Sequence, residues 1–373
     1  MTEICFVLGH DISIPSGGHK RAIVFMNALK SQGFNVSLIT CIPRDGRVLD
    51  ILKYNGINVH VLPILPKGVK NQPMRAFLAI RKARRIQQKN GAILHIIHST
   101  LAGFAALMGC TNFVLAWDDL NFVNPLYPKS FQNMLYYLEK LALNNSIKSI
   151  VPSVSMKEVV MNVFKASEEK IVVIPHGYEE LKIQKFIKMN YEEKNIISFL
   201  GTLDPKIDED KLIKIAETLR DWTLYIIGDG ILKEIIREKA EKKGLKNIIL
   251  TGRLPDEKAY KIISMSKITV LPLRKSLHMD IACPVKVYTY AALGKAMVLD
   301  ETKEIVKMGF REKNAALISN PDNADKFIKD VYILIDDEKL RKKIGMNARR
   351  LIKDYTWEKQ GKKIVKMYEE III

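Results

Sequence analysis

The sequence lacks paired cysteines, and it lacks any apolar segment long enough to cross a membrane. Its four cysteines are scattered and form no Cys-x-x-Cys pair; they are Cys5, Cys41, Cys110 and Cys283. This spacing excludes a disulfide framework and a zinc ribbon, and it favours reduced thiols. No apolar run reaches the ~18–20 residues that a membrane-spanning helix needs. We therefore expect a cytoplasmic protein that is not embedded in a membrane.

Acidic residues are fewer than basic ones, 41 against 59, and none occurs between Asp50 and Asp118. The formal net charge of +18 predicts an anionic partner, which could be a nucleic acid, an anionic membrane surface or a phosphorylated substrate. The sequence shows no recognition helix, no RNP-type aromatic pattern and no zinc motif, so binding of nucleic acid is not expected. A highly charged surface typical of thermophilic proteins is the other explanation of the charge.

One segment of the acid-free span, Pro73–Lys89, has the pattern of an amphipathic helix with a basic face. Such a helix can lie on the inner face of a membrane as a peripheral contact, and it can equally pack its apolar side on a sheet. The two interpretations are compatible. The candidate membrane-binding residues on this helix are Arg81, Lys82, Arg84 and Arg85.

The order of strands and helices predicts an α/β protein with two doubly wound domains. Strand Ile4–Leu8, a glycine loop and helix Arg21–Ser31 open the first domain, and the same order restarts at Ile196–Leu200. Between the two, the periodicity lapses through Asn195, which we interpret as a junction. We expect an N-terminal domain over 1–178, a C-terminal domain over 195–356 and a final amphipathic helix over 357–373. Two such domains are expected to enclose a cleft.

Two short motifs of the first domain are candidate sites. Gly17-Gly18 precedes the first helix and lets the backbone approach a ligand closely, but it lacks the GxGxxG spacing of a dinucleotide site. Asp118 and Asp119 follow the predicted strand Phe113–Ala116, at the strand end where open α/β sheets bind ligands. Capping of a helix or turn is the alternative role for these aspartates.

In the second domain, the stretch Pro284–Asp300 predicts a short helix that leads into a buried strand. Pro284 suits a first helical turn, and Gly294 stands where the helix should end. Lys286 lies in that first turn, so backbone N–H groups and a lysine together make a candidate anion site. An ordinary α/β crossover with a surface lysine is the alternative.

With these motifs in order, the chain resembles the retaining GT-B nucleotide-sugar glycosyltransferases, and specifically the family 4-like members. The resemblance covers nearly the whole chain. It is carried by the Gly17-Gly18 loop, the strand ending at Trp117-Asp118-Asp119, Ile174–Gly177, Phe199–Gly201, Gly228–Gly230, the GR turn after Thr251, and PVKVYTYAALGKAMV.

The resemblance implies two Rossmann-like domains that face each other across a cleft, with the acceptor on the N-terminal domain and the donor on the C-terminal domain. It implies transfer of a sugar with retention, no cofactor and no metal, and a final helix that braces the N-terminal domain. The partners it implies are a UDP- or GDP-sugar donor and a lipid-linked or polysaccharide acceptor. Without a metal, N–H dipoles and cations must stabilise the leaving diphosphate. The predicted donor-binding residues are Gly17, Gly18, Gly201, Lys206, Arg253, Leu254, Arg274, Val285, Lys286 and Thr289; the predicted catalytic residues are Asp118 and Asp119.

The chain departs from the family pattern at several donor positions. Thr289 and Ile281 stand where relatives have glutamates, and Thr202 stands beside Gly201 where relatives have an arginine. A GT-B nucleotide-sugar epimerase, or a divergent inactive relative that binds glycans or anions, therefore remains an alternative. An Asp-x-Asp pair, Asp208 and Asp210, is expected to cap a helix and not to bind metal.

Overall fold

The computed structural model describes residues 2–13, 16–63, 72–125, 127–312 and 314–372. Residues 64–71 of the acid-free span thus lie outside the described part. The chain divides into two compact units. Unit 1 comprises residues 1–176 together with 357–373, and unit 2 comprises residues 177–356.

Unit 1 is built on a seven-stranded parallel sheet whose order is β3-β2-β1-β4-β5-β6-β7. Its central strands are apolar and buried on both faces, which is what a parallel sheet covered by helices requires. The strands are β1 Glu3–Val7, β2 Asn35–Thr40, β3 Asn58–Val61, β4 Ile93–Ile97, β5 Phe113–Ala116, β6 Ser146–Val151 and β7 Ile171–Val173. The helices are α1 Gly17–Ser31, α2 Arg47–Tyr54, α3 Gln72–Asn90, α4 Ser99–Leu107, α5 Lys129–Asn145 and α6 Val154–Phe164.

Unit 2 repeats this plan with a six-stranded parallel sheet of order β10-β9-β8-β11-β12-β13. Its strands are β8 Lys194–Leu200, β9 Thr223–Ile227, β10 Ile248–Gly252, β11 Ser266–Leu271, β12 Ala296–Asp300 and β13 Leu317–Ser319. Its helices are α7 Glu180–Lys188, α8 Glu209–Thr218, α9 Leu232–Lys242, α10 Asp256–Met265, α11 Leu277–Ile281, α12 Val285–Ala292, α13 Lys303–Lys307, α14 Ala324–Asp336 and α15 Glu338–Leu351. Two Rossmann-like units confirm the predicted α/β fold class.

In both sheets the strand order reverses at one point, and this point decides where a site forms. The first strand of each unit pairs on one side with the second strand and on the other side with the fourth. Connections therefore leave the carboxyl ends of β1 and β4 in opposite directions, and the same holds for β8 and β11. Open α/β sheets bind ligands in the crevice at such a switch point.

The last helix, α16 Trp357–Ile372, belongs to unit 1, although it follows all of unit 2 in the sequence. Its apolar face packs on α1, where Gly361 lies against the methyl group of Ala28. The hydroxyl group of Tyr368 lies 2.9 Å from Nδ1 of His95, a buried residue of β4. This contact ties the C-terminal helix to the central strands of unit 1.

The prediction of an irregular junction between residues 178 and 195 is wrong in part. Residues 180–188 form the helix α7, whose Ile183 and Phe186 are buried in the core of unit 2. The polar residues Gln184 and Lys185 between them obscure this apolar face in the sequence. By contrast, the predicted helix and strand over 284–300 are confirmed as α12 and β12, and Gly294 has the expected left-handed φ of 68°.

Candidate active site

In unit 1, Asp118 forms a largely buried ion pair with Arg21. Asp118 follows β5, and Arg21 lies in the second turn of α1, which begins at the cap residue Ser16. Arg21 Nη2 donates to Asp118 Oδ1 at 2.7 Å and also to the Trp117 carbonyl. The Arg21 side chain is only 2% exposed and that of Asp118 is 16% exposed. Asp118 is therefore held rigidly at the carboxyl edge of the sheet, next to residues that follow β1 and β4.

Histidines surround this pair, and the carboxylate of Asp118 stays ionised. Burial by itself raises the pKa of Asp118, but His98, Arg21 and His176 together hold that pKa below its usual range. His98 Nδ1 lies 3.3 Å from Asp118 Oδ2. Burial, with a smaller effect of Arg21, lowers the pKa of His176 to about 3. At neutral pH the site thus holds a negative carboxylate beside the uncharged imidazole of His176.

Gly18 touches Asp118 directly. A Cβ atom added at Gly18 would lie 2.2 Å from Asp118 Oδ2, so any side chain there would displace the carboxylate. The sequence analysis predicts that the Gly17-Gly18 loop admits a ligand. In the structure, the space above Gly18 is occupied by Asp118 itself. A donor contact of Gly17 and Gly18 stays a prediction, and these two residues belong to unit 1, whereas the other predicted donor residues belong to unit 2.

Sequence reasoning missed the polar residues that complete this site. They all follow carboxyl ends of strands or lie at the start of α1, and they are His10, His19, Arg21, His98 and His176. The same strand-end rule that selected Asp118 would have selected His10 after β1, His98 after β4 and His176 after β7. Asp119 is half-buried, and its catalytic role stays a prediction.

The buried histidines of unit 1 predict a specific loss of stability in acid. Burial, with a smaller effect of Arg21, lowers the pKa of His95 to about 3, as it does for His176. The unfolded chain takes up these protons near pH 6.5 and the folded chain does so only near pH 3, so stability falls as the pH drops through that range. Each histidine contributes about 1.4 kcal/mol per pH unit. Urea unfolding between pH 7.5 and 5 should show this slope below about pH 6.5 and little change above it, and His95→Gln should reduce the slope. An unchanged slope would contradict the assignment.

In unit 2, Lys286 and Gly201 form the centre of the predicted donor site. Lys286 lies in the first turn of α12, and its stem crosses the backbone of Gly201 just after β8. A Cβ atom at Gly201 would lie 2.2 Å from Lys286 Cε, and the φ of Gly201 is +155°. Only glycine accommodates this crossing. The two residues, 85 positions apart in the sequence, therefore define one local surface.

The ammonium group of Lys286 has the surroundings expected of an anion-binding group. Burial lowers its pKa, and Lys206 lowers it further while Asp204 opposes this effect. Among the described residues, no carboxylate forms an ion pair with Lys286. Its Nζ lies over the ring of Phe199 at 5.8 Å. A partly desolvated cation without a carboxylate partner gains most from binding a phosphate group.

The loops beside Lys286 are hydrogen-bonded to each other. The N–H of Gly201 donates to Ile227 O at 2.9 Å, and the N–H of Leu203 donates to Asp229 O at 3.0 Å. The loop after β8 therefore rests on the Gly228–Gly230 turn after β9. This bonding gives the Gly201 backbone a fixed position next to Lys286.

The three predicted phosphate cations differ in their partners. Lys206 is half-buried and close enough to Lys286 to affect its pKa. Arg274 follows β11, but its Nη2 donates to Glu209 Oε2 at 2.7 Å, and Glu209 also pairs with Lys239 at 3.0 Å. The charge of Arg274 is thus already compensated. Lys286 and Lys206 are the stronger candidates for the diphosphate.

The remaining predicted donor residues vary in accessibility. Arg253 is exposed just after β10, and Leu254 beside it is half-buried. Thr289 is 9% exposed and its hydroxyl is hydrogen-bonded with Tyr260, so it already has a partner inside the unit. The N–H of Val285 donates to Cys283 O at 2.9 Å, which leaves the start of α12 with fewer backbone donors than the sequence suggests. Donor contacts of these residues stay predictions.

The predicted capping role of the Asp-x-Asp pair of unit 2 is confirmed for Asp208. Asp208 is the N-cap of α8 and accepts from the N–H of Lys211, while Asp210 pairs with Lys239 at 2.6 Å. The two carboxylates therefore serve a helix start and an ion pair. Among the described residues, they belong to no group of converging metal ligands.

The basic helix of unit 1 is α3, as predicted. Ala79, Ile80, Ala83 and Ile86 pack inward, and the four predicted membrane residues Arg81, Lys82, Arg84 and Arg85 are exposed. Arg84 Nη1 donates to Met108 O at 2.8 Å, at the end of α4. Phe77 is 45% exposed on the same helix. The apolar side of this helix therefore packs inward as predicted, and membrane contact of its basic face stays a prediction. In the part of the chain that is described, no helix is both long and apolar enough to cross a membrane.

Two protein-family models match the chain, one for each half. Residues 15–180 match the model Glycosyltransferase Family 4, and residues 180–351 match the model Glycosyl transferases group 1. The second match begins where the first one ends. Together the two matches span most of the chain, and with the two Rossmann-like units they show a GT-B glycosyltransferase. The predicted GT-B family is confirmed, and retention at the anomeric carbon stays a prediction.

Individual relatives agree with this family. The chain is 28% identical over 242 residues to an uncharacterized glycosyltransferase of Methanocaldococcus jannaschii, and the match spans 63% of each protein. It is 21% identical, over 95% of each chain, to a Campylobacter jejuni N-acetyl-D-galactosaminyltransferase whose name gives a PP-undecaprenol-linked glycan. An Anabaena protein solved in complex with UDP and glucose has a TM-score of 0.74 and 14% identity, covering 100% of this chain and 99% of that one. This likeness shows the fold.

Proposed function

We propose that this protein is a hexosyltransferase that moves a sugar from a nucleoside diphosphate donor to a hydroxyl group of a lipid-linked or membrane-proximal glycan. In this reaction the bond between the anomeric carbon and the phosphate oxygen breaks, and a bond to the acceptor oxygen forms. The acceptor hydroxyl loses its proton, and the diphosphate leaves with the additional negative charge. We propose retention at the anomeric carbon, in line with the resemblance to family 4-like enzymes.

The observation that carries the proposal is the partly buried Lys286 ammonium group beside Gly201 at the switch point of unit 2. A cation fixed before the reaction stabilises the leaving diphosphate without reorganisation. Lys206 adds a second positive charge nearby. These groups can do the work of a divalent ion, so we propose a donor site that needs no metal. The Anabaena neighbour, solved with UDP, supports a uridine nucleotide.

In unit 1 we propose that Asp118 orients the acceptor hydroxyl group. Its ionised carboxylate is an acceptor for that hydroxyl, and Arg21 fixes its direction. Because Arg21 neutralises part of the charge, Asp118 is better suited to positioning and hydrogen bonding than to full removal of a proton.

The donor is tested by a thermal-shift panel of nucleoside diphosphates and nucleotide sugars. We expect UDP and UDP-sugars to raise the melting temperature, because a ligand that binds only the folded state stabilises it by mass action. EDTA should leave this shift unchanged. A shift that disappears with EDTA and returns with magnesium would contradict the metal-free donor site. Consumption of the donor with no acceptor present would favour the epimerase alternative.

We also propose that α3 holds the protein at an anionic membrane on its cytoplasmic side. Arg81, Lys82 and Arg85 are exposed, and each cation near an anionic leaflet contributes about 1 kcal/mol. Lys82 and Arg85 also line a depression of about 300 Å³ together with Lys89 and His60. Phe77, half-exposed on the same helix, would add shallow insertion.

Liposome flotation tests this membrane proposal. We expect binding to vesicles that contain anionic lipid, a decrease with salt, and a loss when Arg81, Lys82 and Arg85 are all changed to Gln. Arg84→Gln is a separate variant, because Arg84 also bonds Met108 and its loss affects packing. A matched control replaces three exposed lysines of unit 2, namely Lys242, Lys258 and Lys307. Equal recovery with neutral and anionic vesicles would contradict the proposal.

A further inference from the structure

Three histidine side chains of unit 1 converge at the carboxyl edge of its sheet. His10 lies in the loop after β1, His19 in the first turn of α1, and His98 between β4 and α4. One ring nitrogen from each lies within 4.8 Å of the others. Because β1 and β4 are neighbours and α1 follows β1, the strand order brings these three elements together. The cluster is thus a product of the topology of unit 1.

The distances in the cluster approach those of metal ligands. His10 Nε2 lies 3.2 Å from His98 Nε2 and 2.5 Å from His19 Nε2. Nitrogens bound to a tetrahedral zinc ion at about 2.0–2.1 Å lie about 3.3 Å from one another. The contact with His98 already has this spacing. The contact with His19 needs to open by less than 1 Å, which side-chain rotation supplies.

Hydrogen bonds among the rings do not account for the arrangement equally well. A single Nε2 atom carries either one proton or one lone pair. His10 Nε2 faces two other Nε2 atoms at once, so its one proton or its one lone pair would have to serve two close contacts. A cation placed among the three atoms is bound by all three lone pairs.

Asp118 supplies an independent sign of a metal site. Its Oδ2 lies 3.3 Å from Nδ1 of His98, on the side of the ring away from His10. A carboxylate there favours the tautomer that keeps its proton on Nδ1 and leaves the lone pair on Nε2. Histidines that bind metals almost always donate their other N–H to a carboxylate, carbonyl or water in this way.

We propose that His10, His19 and His98 bind one divalent transition-metal ion of the zinc type through their Nε2 atoms. Imidazole nitrogens suit zinc, copper, nickel and iron, and three protein ligands leave a fourth position for water. The His98 side chain is 32% exposed, which gives the ion a route to the site. The bound ion joins the loop after β1, the start of α1 and the turn before α4. The proposal does not depend on the transfer activity proposed above.

Metal titration of the full-length protein, after removal of metals with a chelator, tests the proposal. We expect one Zn²⁺ per chain by calorimetry, one Co²⁺ with the visible absorption of a nitrogen-bound ion, and a higher melting temperature with Zn²⁺. His98→Asn and His19→Gln should each weaken binding at least tenfold. Asparagine is chosen because His98 has a φ of 79°, which asparagine tolerates. Absence of stoichiometric binding to the wild-type protein would overturn the proposal.

The matched control is His60→Gln, which removes a partly exposed histidine of unit 1 on β3. It should bind Zn²⁺ like the wild-type protein. Binding that is equal in His98→Asn and wild type, or lost in His60→Gln, would place the ion elsewhere and overturn the proposal. A second measurement needs no variant: Zn²⁺ should protect His10 and His98 from chemical modification of histidines and leave His60 reactive. Equal reactivity of all three with Zn²⁺ present would also overturn it.

Discussion

Replacement of Lys286 by methionine is expected to abolish most donor binding while it raises the melting temperature of unit 2. The ammonium group is partly buried with no carboxylate in an ion pair among the described residues, so the folded protein carries an uncompensated desolvation cost. Methionine keeps the stem and removes that cost. A charge-assisted phosphate contact contributes roughly 1.5–3 kcal/mol, so affinity for UDP should fall about 10- to 150-fold.

Two further variants separate the charge of Lys286 from a general effect on unit 2. Gly201→Ala should also weaken UDP binding, because its Cβ would displace the Lys286 stem. Lys303→Met removes a lysine from the first turn of α13, where the side chain is 64% exposed, and should leave UDP binding unchanged. Calorimetry with UDP and thermal unfolding measure both quantities. Unchanged UDP affinity in Lys286→Met would remove Lys286 from the donor site.

Asp118→Asn is expected to lower both turnover and the stability of unit 1. Asparagine keeps the shape of the side chain but leaves the guanidinium group of Arg21, 2% exposed, without its ionic partner. Breaking a buried pair on one side typically costs 3–5 kcal/mol. For a unit of this size, that loss corresponds to a decrease in Tm of roughly 6–20 °C. Turnover should fall by about 10²-fold or more if Asp118 positions the acceptor.

Two measurements separate the effect of Asp118→Asn on catalysis from its effect on stability. Turnover is measured well below the melting temperature of Asp118→Asn, where the variant is folded. Arg21→Met combined with Asp118→Asn removes both charges and should recover stability but not turnover. Asp119→Asn tests the second predicted catalytic aspartate separately. If Asp118→Asn folds and turns over like the wild type, the aspartate serves only the local structure.

The predicted donor site shows which features of a site can be predicted from neighbouring residues in the sequence. The 284–300 segment could be predicted, because a proline, apolar residues at helical spacing and a glycine define a helix and its end within one short stretch. Its candidate anion-binding lysine, Lys286, followed from position alone. The compensation of Arg274 by Glu209 could not be predicted, since nothing local specifies which of two neighbouring elements a long side chain contacts. The hydrogen bond of Thr289 with Tyr260 has the same origin.

The sequence by itself determined the two repeated series of strands and helices, the basic α3 and the strand end that presents Asp118, because periodicity, caps and strand ends are encoded by neighbouring residues. The tertiary structure alone decided which side chains meet there. Arg21 reaches Asp118 across 97 positions, and His10 meets His98 across 88. Such contacts depend on β1 pairing with β4, a consequence of the whole sheet order and not of any local pattern. For the same reason, the space above Gly18 holds a carboxylate of this chain, which no glycine motif could have indicated.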